Sequence, residues 1–174
     1  MKKLSLLLLL IASVHAQLLL SPFDALKMNF NDDITIEKKS ILISKAQAKE
    51  VQKRAKVKLT TKIYKTFKVT QDDRLLGYGV LVVQKVRTKN NAILSIITPE
   101  GTLKGIEIIA FNEPPEYIPS KIWVERFKDL KLDETLKLGK KIPNITGATF
   151  SARSATDASR IALALYEIVL KSRS

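Results

Sequence analysis

Between residues 57 and 69 apolar and polar side chains alternate. Val57, Leu59, Ile63, Phe67 and Val69 fall on one side, and Lys56, Lys58, Lys62, Tyr64 and Lys68 on the other. A two-residue period predicts one long strand, or two, with a core face and a wet basic face. Strand-like runs follow at 75–86, 92–97 and 102–111, with turns at 71–74, 87–91 and 98–101. Short polar connections of this kind favour an antiparallel meander over parallel crossovers. Gly77 and Gly79 flank Tyr78 inside one run, where they mark a bulge or the close approach of a ring. The period changes to three and four at both ends of the chain. Ser44 caps a lysine-rich helix over 45–56 with Ala48, Val51 and Ala55 on one face, placed for packing on a sheet or docking on a membrane surface. At the other end Ala155, Ala158, Ile161, Ala162, Leu165, Ile168 and Val169 share a helical face. The expected fold is α+β: an antiparallel β-meander packed with an N-terminal and a C-terminal helix.

The remaining segments are shorter. Residues 112–119, with Pro114, Pro115 and Pro119, form a stiff loop that cannot continue a sheet. Ser120 caps a short helix carrying Ile122, Trp123 and Phe127, and 132–138 add another helical turn. Trp123 is a core residue or a cover for a bound ring. The acid pairs Asp32-Asp33 and Asp72-Asp73 suit turns, with calcium binding as the alternative.

The N-terminus alters the picture. Lys2 and Lys3 precede an apolar run over 4–14, and Val14-His15-Ala16 has the small-x-small pattern of a cleavage site. Residues 1–16 are therefore expected to be a signal peptide, with an uncleaved membrane anchor as the alternative. Residues 17–40 read as a leader segment and 41–174 as a single domain. The one histidine, His15, lies in the signal, and the sequence has no cysteine. A mature chain without imidazole or thiol is a poor prospect for the usual zinc, haem or iron–sulfur sites and for Ser–His or Cys–His catalysis. No metal site and no catalytic residue is assigned.

Charge narrows the partners. Lys plus Arg number 30 against 17 acids, a formal charge of +13. An exported chain rarely meets nucleic acid, and its aromatics are not interleaved with the basic residues as stacking platforms would be, so nucleic acid is not expected. A basic surface suits an acidic redox partner, an anionic membrane face or plain solvation.

Candidate chemistry gathers at Ile145-Thr146-Gly147-Ala148-Thr149-Phe150-Ser151. Pro143 and Asn144 favour a turn, Gly147 can bend the backbone, and hydroxyls follow at Thr149, Ser151 and Ser154. Ser154 with Asp157 has the spacing of a capping box. A hydroxyl-bearing turn before a helix N-terminus suits a phosphate, because free N–H groups and the helix dipole favour an anion. A simple turn before a capped helix explains the same residues.

Thr146-Gly147-Ala148-Thr149 resembles the [Ser/Thr]-Gly-Ala-Thr signature of FMN-binding domains, which include flavin-carrying subunits of the sodium-pumping NADH:quinone reductase and the Rnf complex. Glu113-Pro114-Pro115-Glu116 resembles that family's Glu-[Thr/Ser]-Pro-Gly segment. Pro143 stands where the family usually has Asp, and Glu116 where it has Gly. The resemblance implies covalent FMN on Thr149, attached through its phosphate by a periplasmic flavin transferase. It also implies supporting positions at Thr146, Gly147, Ala148 and Ser151, with Glu113 and Tyr117 near the ring or ribityl chain. The implied function is extracytoplasmic electron transfer with a redox partner, acidic or membrane-bound, rather than catalysis on a substrate of its own. An exported module for an anionic ligand and a noncovalent flavin reductase are the competing readings.

Overall fold

The computed structural model describes residues 17–86 and 89–173. The expected signal peptide and part of the 87–91 turn lie outside them. Strands β2 (Thr35–Leu42), β3 (Ile63–Gln71), β4 (Arg74–Val86), β5 (Lys89–Ile97) and β6 (Leu103–Phe111) form an antiparallel meander, and the two-residue β1 (Gln17–Leu18) joins it beside β6. Helices α1 (Pro22–Asn29), α2 (Lys45–Ala55), α3 (Lys121–Val124) and α4 (Thr149–Leu165) complete the fold. It is α+β, with the meander and terminal helix that the periodicities predict.

Both faces of the sheet are packed, and this corrects the reading of β3. Tyr64 and Thr66 turn towards the larger core with Ile41, Tyr78, Val80 and the buried face of α4, while Phe67 and Val69 turn to a smaller core under α1. The side expected to be wet therefore carries Tyr64 into the interior, where burial pushes its phenol up to about 12. Ile63, expected inside, is exposed. Alternation identifies the two sides of a strand but not which one is covered, and here each is covered along part of its length.

Strand β3 also starts later than expected. Lys56 ends α2 in the left-handed conformation (φ 56°), and the Gln52 side chain holds the Leu59 N–H at 2.9 Å. Residues 57–62 are thereby a connection rather than a strand. Helix α2 itself follows its pattern: Ser44 and Gln47 form a reciprocal capping box, and Ala48, Val51 and Ala55 are buried. Its packing is internal, against α4 and the main core.

Residues 17–40 do more than lead into the domain, since they supply β1, α1 and most of β2. Ser21 caps α1 by accepting the Asp24 N–H, Pro22 sits at its first turn, and Ala25 and Leu26 are buried against the sheet. Added β-carbons would place Gly77 against the Ile97 carbonyl oxygen and the Phe30 ring, and Gly79 at 3.2 Å from Leu26. The ring at these glycines is thus the chain's own Phe30. A register shift between Val69 and Thr70 adds a bulge opposite them. Asp72 and Asp73, both at positive φ, form the β3–β4 turn. Among the described residues no group of three acids or histidines could hold a metal. No described helix is long and apolar enough to cross a membrane.

The helical turn expected at 132–138 is absent. The Asp133 carboxylate accepts the Thr135 N–H and hydroxyl, both at 2.6 Å, and the Leu136 N–H at 3.2 Å. Those contacts hold its carboxyl below the usual range and organise a side-chain-bonded turn.

Candidate functional site

Helix α4 is buried along almost its whole surface. Ala152, Ala155, Ala158, Ala162, Leu163 and Leu165 have no exposed area, and Thr149, Phe150 and Arg153 are its exposed positions. Small side chains let it lie close to β4 and β5. The helix begins at Thr149, so the capping box read at Ser154 and Asp157 does not exist. Ser154 is an interior helical residue whose buried hydroxyl has no partner. The N-cap is Ala148, and no side chain caps the first turn.

The turn before α4 is tied down from one side. The Trp123 indole donates to the Pro143 carbonyl at 2.8 Å, while its ring packs edge-on against Phe127 at 5.1 Å. Trp123 is thus a core residue that fixes the turn. The Ala148 N–H reaches the Ile145 carbonyl at 3.1 Å, and Gly147 completes the bend at φ 79°. A β-carbon at Gly147 would meet nothing within 4 Å, so space is open beside the turn. Thr149 is exposed, and its hydroxyl makes only a long 3.5 Å contact to the Ile145 carbonyl.

A small cleft joins this turn to the 112–119 loop. Glu113, Tyr117, Gly147, Ala148 and Ser151 line it together with Val86 and Phe150. Thr146 and Thr149 are exposed beside it and outside its wall. The loop is anchored by Asn112, whose N–H donates to Asn91 Oδ1 at 2.9 Å and whose amide donates to the Asn90 carbonyl. Prolines 114 and 115 then lead into a 3-10 turn, Pro115–Tyr117. Glu113 Oε1 is buried without a hydrogen-bond partner, and so is Asn112 Oδ1. A buried, unsatisfied acceptor costs about 1–3 kcal/mol, which makes Glu113 a ready acceptor for an N–H or O–H.

A larger cleft, about 530 Å³, lies along another side of α4. Asn144, Arg153, Thr156, Asp157 and Arg160 line it, with Lys56, Lys137 and Glu134. Arg160 escaped the sequence reading. It is buried, and its guanidinium donates to the carbonyls of Ala55 (2.6 Å), Asp133 (2.9 Å) and Leu136 (2.7 Å). The signal available was a lone arginine between Ser159 and Ile161 in an otherwise small and apolar run.

Burial raises the Asp157 carboxyl above its ordinary value, against the opposing pull of Arg153 and Arg160. A raised folded-state pKa means that the ionised carboxylate is disfavoured by folding. Its contribution to stability is full below the unfolded value of about 4 and is lost as pH rises through the folded value. Asp157→Asn should therefore increase stability at pH 7, with the gain shrinking as pH falls towards 4. Thermal melts of both proteins across that range provide the check.

Residues 88–164 match the family model described as FMN-binding domain. The crystal structure of Shewanella oneidensis NqrC is similar in fold, with a TM-score of 0.58 and 15% identity over 87% of this chain and 88% of that one. No curated protein matches the chain. The family match contains both walls of the small cleft, the loop bearing Glu113 and Tyr117 and the Thr146-Gly147-Ala148-Thr149 turn. The match over residues 88–164 and the shared fold support the resemblance to FMN-binding domains.

Proposed function

We propose that this protein carries FMN as a phosphoester on Thr149 and passes electrons outside the cytoplasm. The observation that carries the reading is an exposed threonine hydroxyl at the uncapped start of a 17-residue helix, beside open space and an orphan acceptor. Attachment would join the Thr149 oxygen to the flavin's phosphate, breaking the bond between that phosphate and the leaving group of the flavin nucleotide that the transferase uses as donor, with the hydroxyl proton and the leaving group released. The first turn of α4 offers N–H groups and the positive end of the helix dipole to the remaining phosphate oxygens. Gly147 leaves room for the group to pass the turn, and Ala148 and Ser151 form the floor. Glu113 Oε1 accepts an N–H or O–H from the ring or the ribityl chain, while Tyr117 and Phe150 supply ring walls. Thr146 belongs to the turn that a transferase must recognise. The bound flavin supplies the electron chemistry, and the protein supplies attachment, orientation and electrostatics.

Acid denaturation tests this reading. Protein made together with a flavin transferase should keep its yellow colour after precipitation and washing. Flavin released into the supernatant would favour a noncovalent reductase, and a colourless native protein would favour a module for another anionic ligand.

Location and partners complete the proposal. The apolar run over 4–14 and the small residues at 14 and 16 support export, with a mature chain beginning at Gln17. Intact mass of native protein should show that N-terminus, and Met1 or Lys2 there would favour an uncleaved anchor. The net positive charge supports an acidic redox partner. Electron exchange with such a partner should slow as salt rises, because steering is screened over about 8–10 Å near physiological ionic strength. A stopped-flow rate unchanged through a salt titration would reduce the basic surface to solvation.

A further inference from the structure

Helix α1 covers only part of its side of the sheet. It packs over Phe67, Val69 and the Gly77–Gly79 stretch, and stops short of the end where β2 finishes and β3 begins. There Leu42 and Ile63 are paired across β2 and β3, and the Lys65–Leu81 pairing sets Val83 of β4 beside Ile63. These cross-strand neighbours lie 72%, 61% and 47% exposed. Phe23 of α1, stacked edge-on against Phe67 and half exposed itself, borders the strip. Large apolar side chains clustered on a sheet face, rather than scattered singly, mark a surface that meets something.

The charges on this face identify the occupant. Side chains of one strand side recur every second residue, so Lys38, Lys65 and Lys85 share the face with Leu42, Ile63 and Val83. All three lysines are exposed, and none of the β2, β3 and β4 positions on this part of the face is acidic. A second copy stacked symmetrically here would bring lysine rows against lysine rows, which like-charge repulsion opposes. Anionic lipid headgroups would instead satisfy the lysines while the apolar residues enter the acyl boundary.

We infer that the uncovered sheet face formed by Leu42, Ile63 and Val83, ringed by Lys38, Lys65 and Lys85, docks on an anionic membrane surface. This inference does not depend on the flavin. It places the face opposite the α2–α4 layer against lipid, near the end of β4 whose last residue, Val86, lines the small cleft.

The absence of cysteine allows single labels. Ile63→Cys, Val83→Cys and, on the exposed side of α2, Glu50→Cys would each carry an environment-sensitive fluorophore in the chain as isolated from cells. Vesicles of phosphatidylethanolamine and phosphatidylglycerol should shift the emission of labels 63 and 83 to the blue and raise its intensity, leaving label 50 unchanged. Vesicles of phosphatidylcholine, or high salt, should weaken the response, and Lys38→Glu with Lys65→Glu and Lys85→Glu should reduce it in the Val83→Cys background. Because the readout compares faces, it holds whether or not an N-terminal anchor also binds lipid. Labels 63 and 83 behaving like label 50 would overturn the inference. So would a blue shift without vesicles that grows with protein concentration, which would assign the face to a second copy. A concentration-independent shift without vesicles would assign it to the chain's own N-terminal segment and overturn it equally.

Discussion

Thr149→Ala is expected to abolish covalent flavin while leaving the fold intact. A phosphoester requires an oxygen on the acceptor, and alanine has none. The structural cost is small because Thr149 is the first helical residue rather than the cap, and its hydroxyl makes only the 3.5 Å contact to the Ile145 carbonyl. Alanine is also the better helix former, so stability should change by no more than about 0.5 kcal/mol. Thr149→Ser keeps the nucleophilic oxygen and should retain some attachment. Thr146→Ala should weaken attachment without eliminating it. Ser151, two residues on, is a poor substitute acceptor because it is buried. Flavin found on the Thr149→Ala protein at Ser151 would mean that the start of α4 opens during attachment.

The largest expected effect on stability lies at Arg160. Its guanidinium serves three carbonyls, and one of them, at Ala55, is the last residue of α2. Arg160→Leu would leave all three acceptors buried or half-buried without that donor. Three acceptors at about 1–3 kcal/mol each set an upper bound of about 9 kcal/mol, and with local relaxation a loss of about 3–5 kcal/mol is expected, as when one partner of a buried charged contact is removed. That corresponds to a fall in thermal midpoint of roughly 6–20 °C for a domain of this size. Arg160→Lys should recover only part of it, because one ammonium lacks the planar fork that reaches separate carbonyls. Denaturant unfolding of the three proteins measures the difference. A loss below about 1 kcal/mol for Arg160→Leu would show that water replaces the guanidinium at little cost.

The meander was legible because its turns are short and polar and its strands alternate, and α2 because Ser44, Gln47 and three apolar positions agree. The N-terminal third was harder to read. Helix α1 buries only Ala25 and Leu26, too few to set up a clear period. Edge strand β2 runs through Glu37, Lys38 and Lys39, so it shows little alternation. Tyr64 was misplaced because the rule of one wet face fails when helices pack on both sides. The start of α4 was hidden for a related reason: a helix buried nearly all round has no polar face to mark its first turn, and Ala148 gives no side-chain capping signal. Within the candidate site, the convergence of Glu113 and Tyr117 with the Gly147 turn followed from family resemblance. Spacing could not supply it, since more than twenty residues separate the two segments. Arg160 and the larger cleft depend on contacts between α2, α4 and the Asp133 turn, which no local pattern encodes.

The most direct test is mass spectrometry of tryptic peptide 142–153 from wild-type protein coexpressed with a flavin transferase. This peptide should carry the mass of FMN less water, with fragmentation placing it on Thr149. An unmodified peptide, from cells in which the same transferase labels an established target, would contradict the covalent-carrier reading and point first to Pro143 in place of the family's Asp.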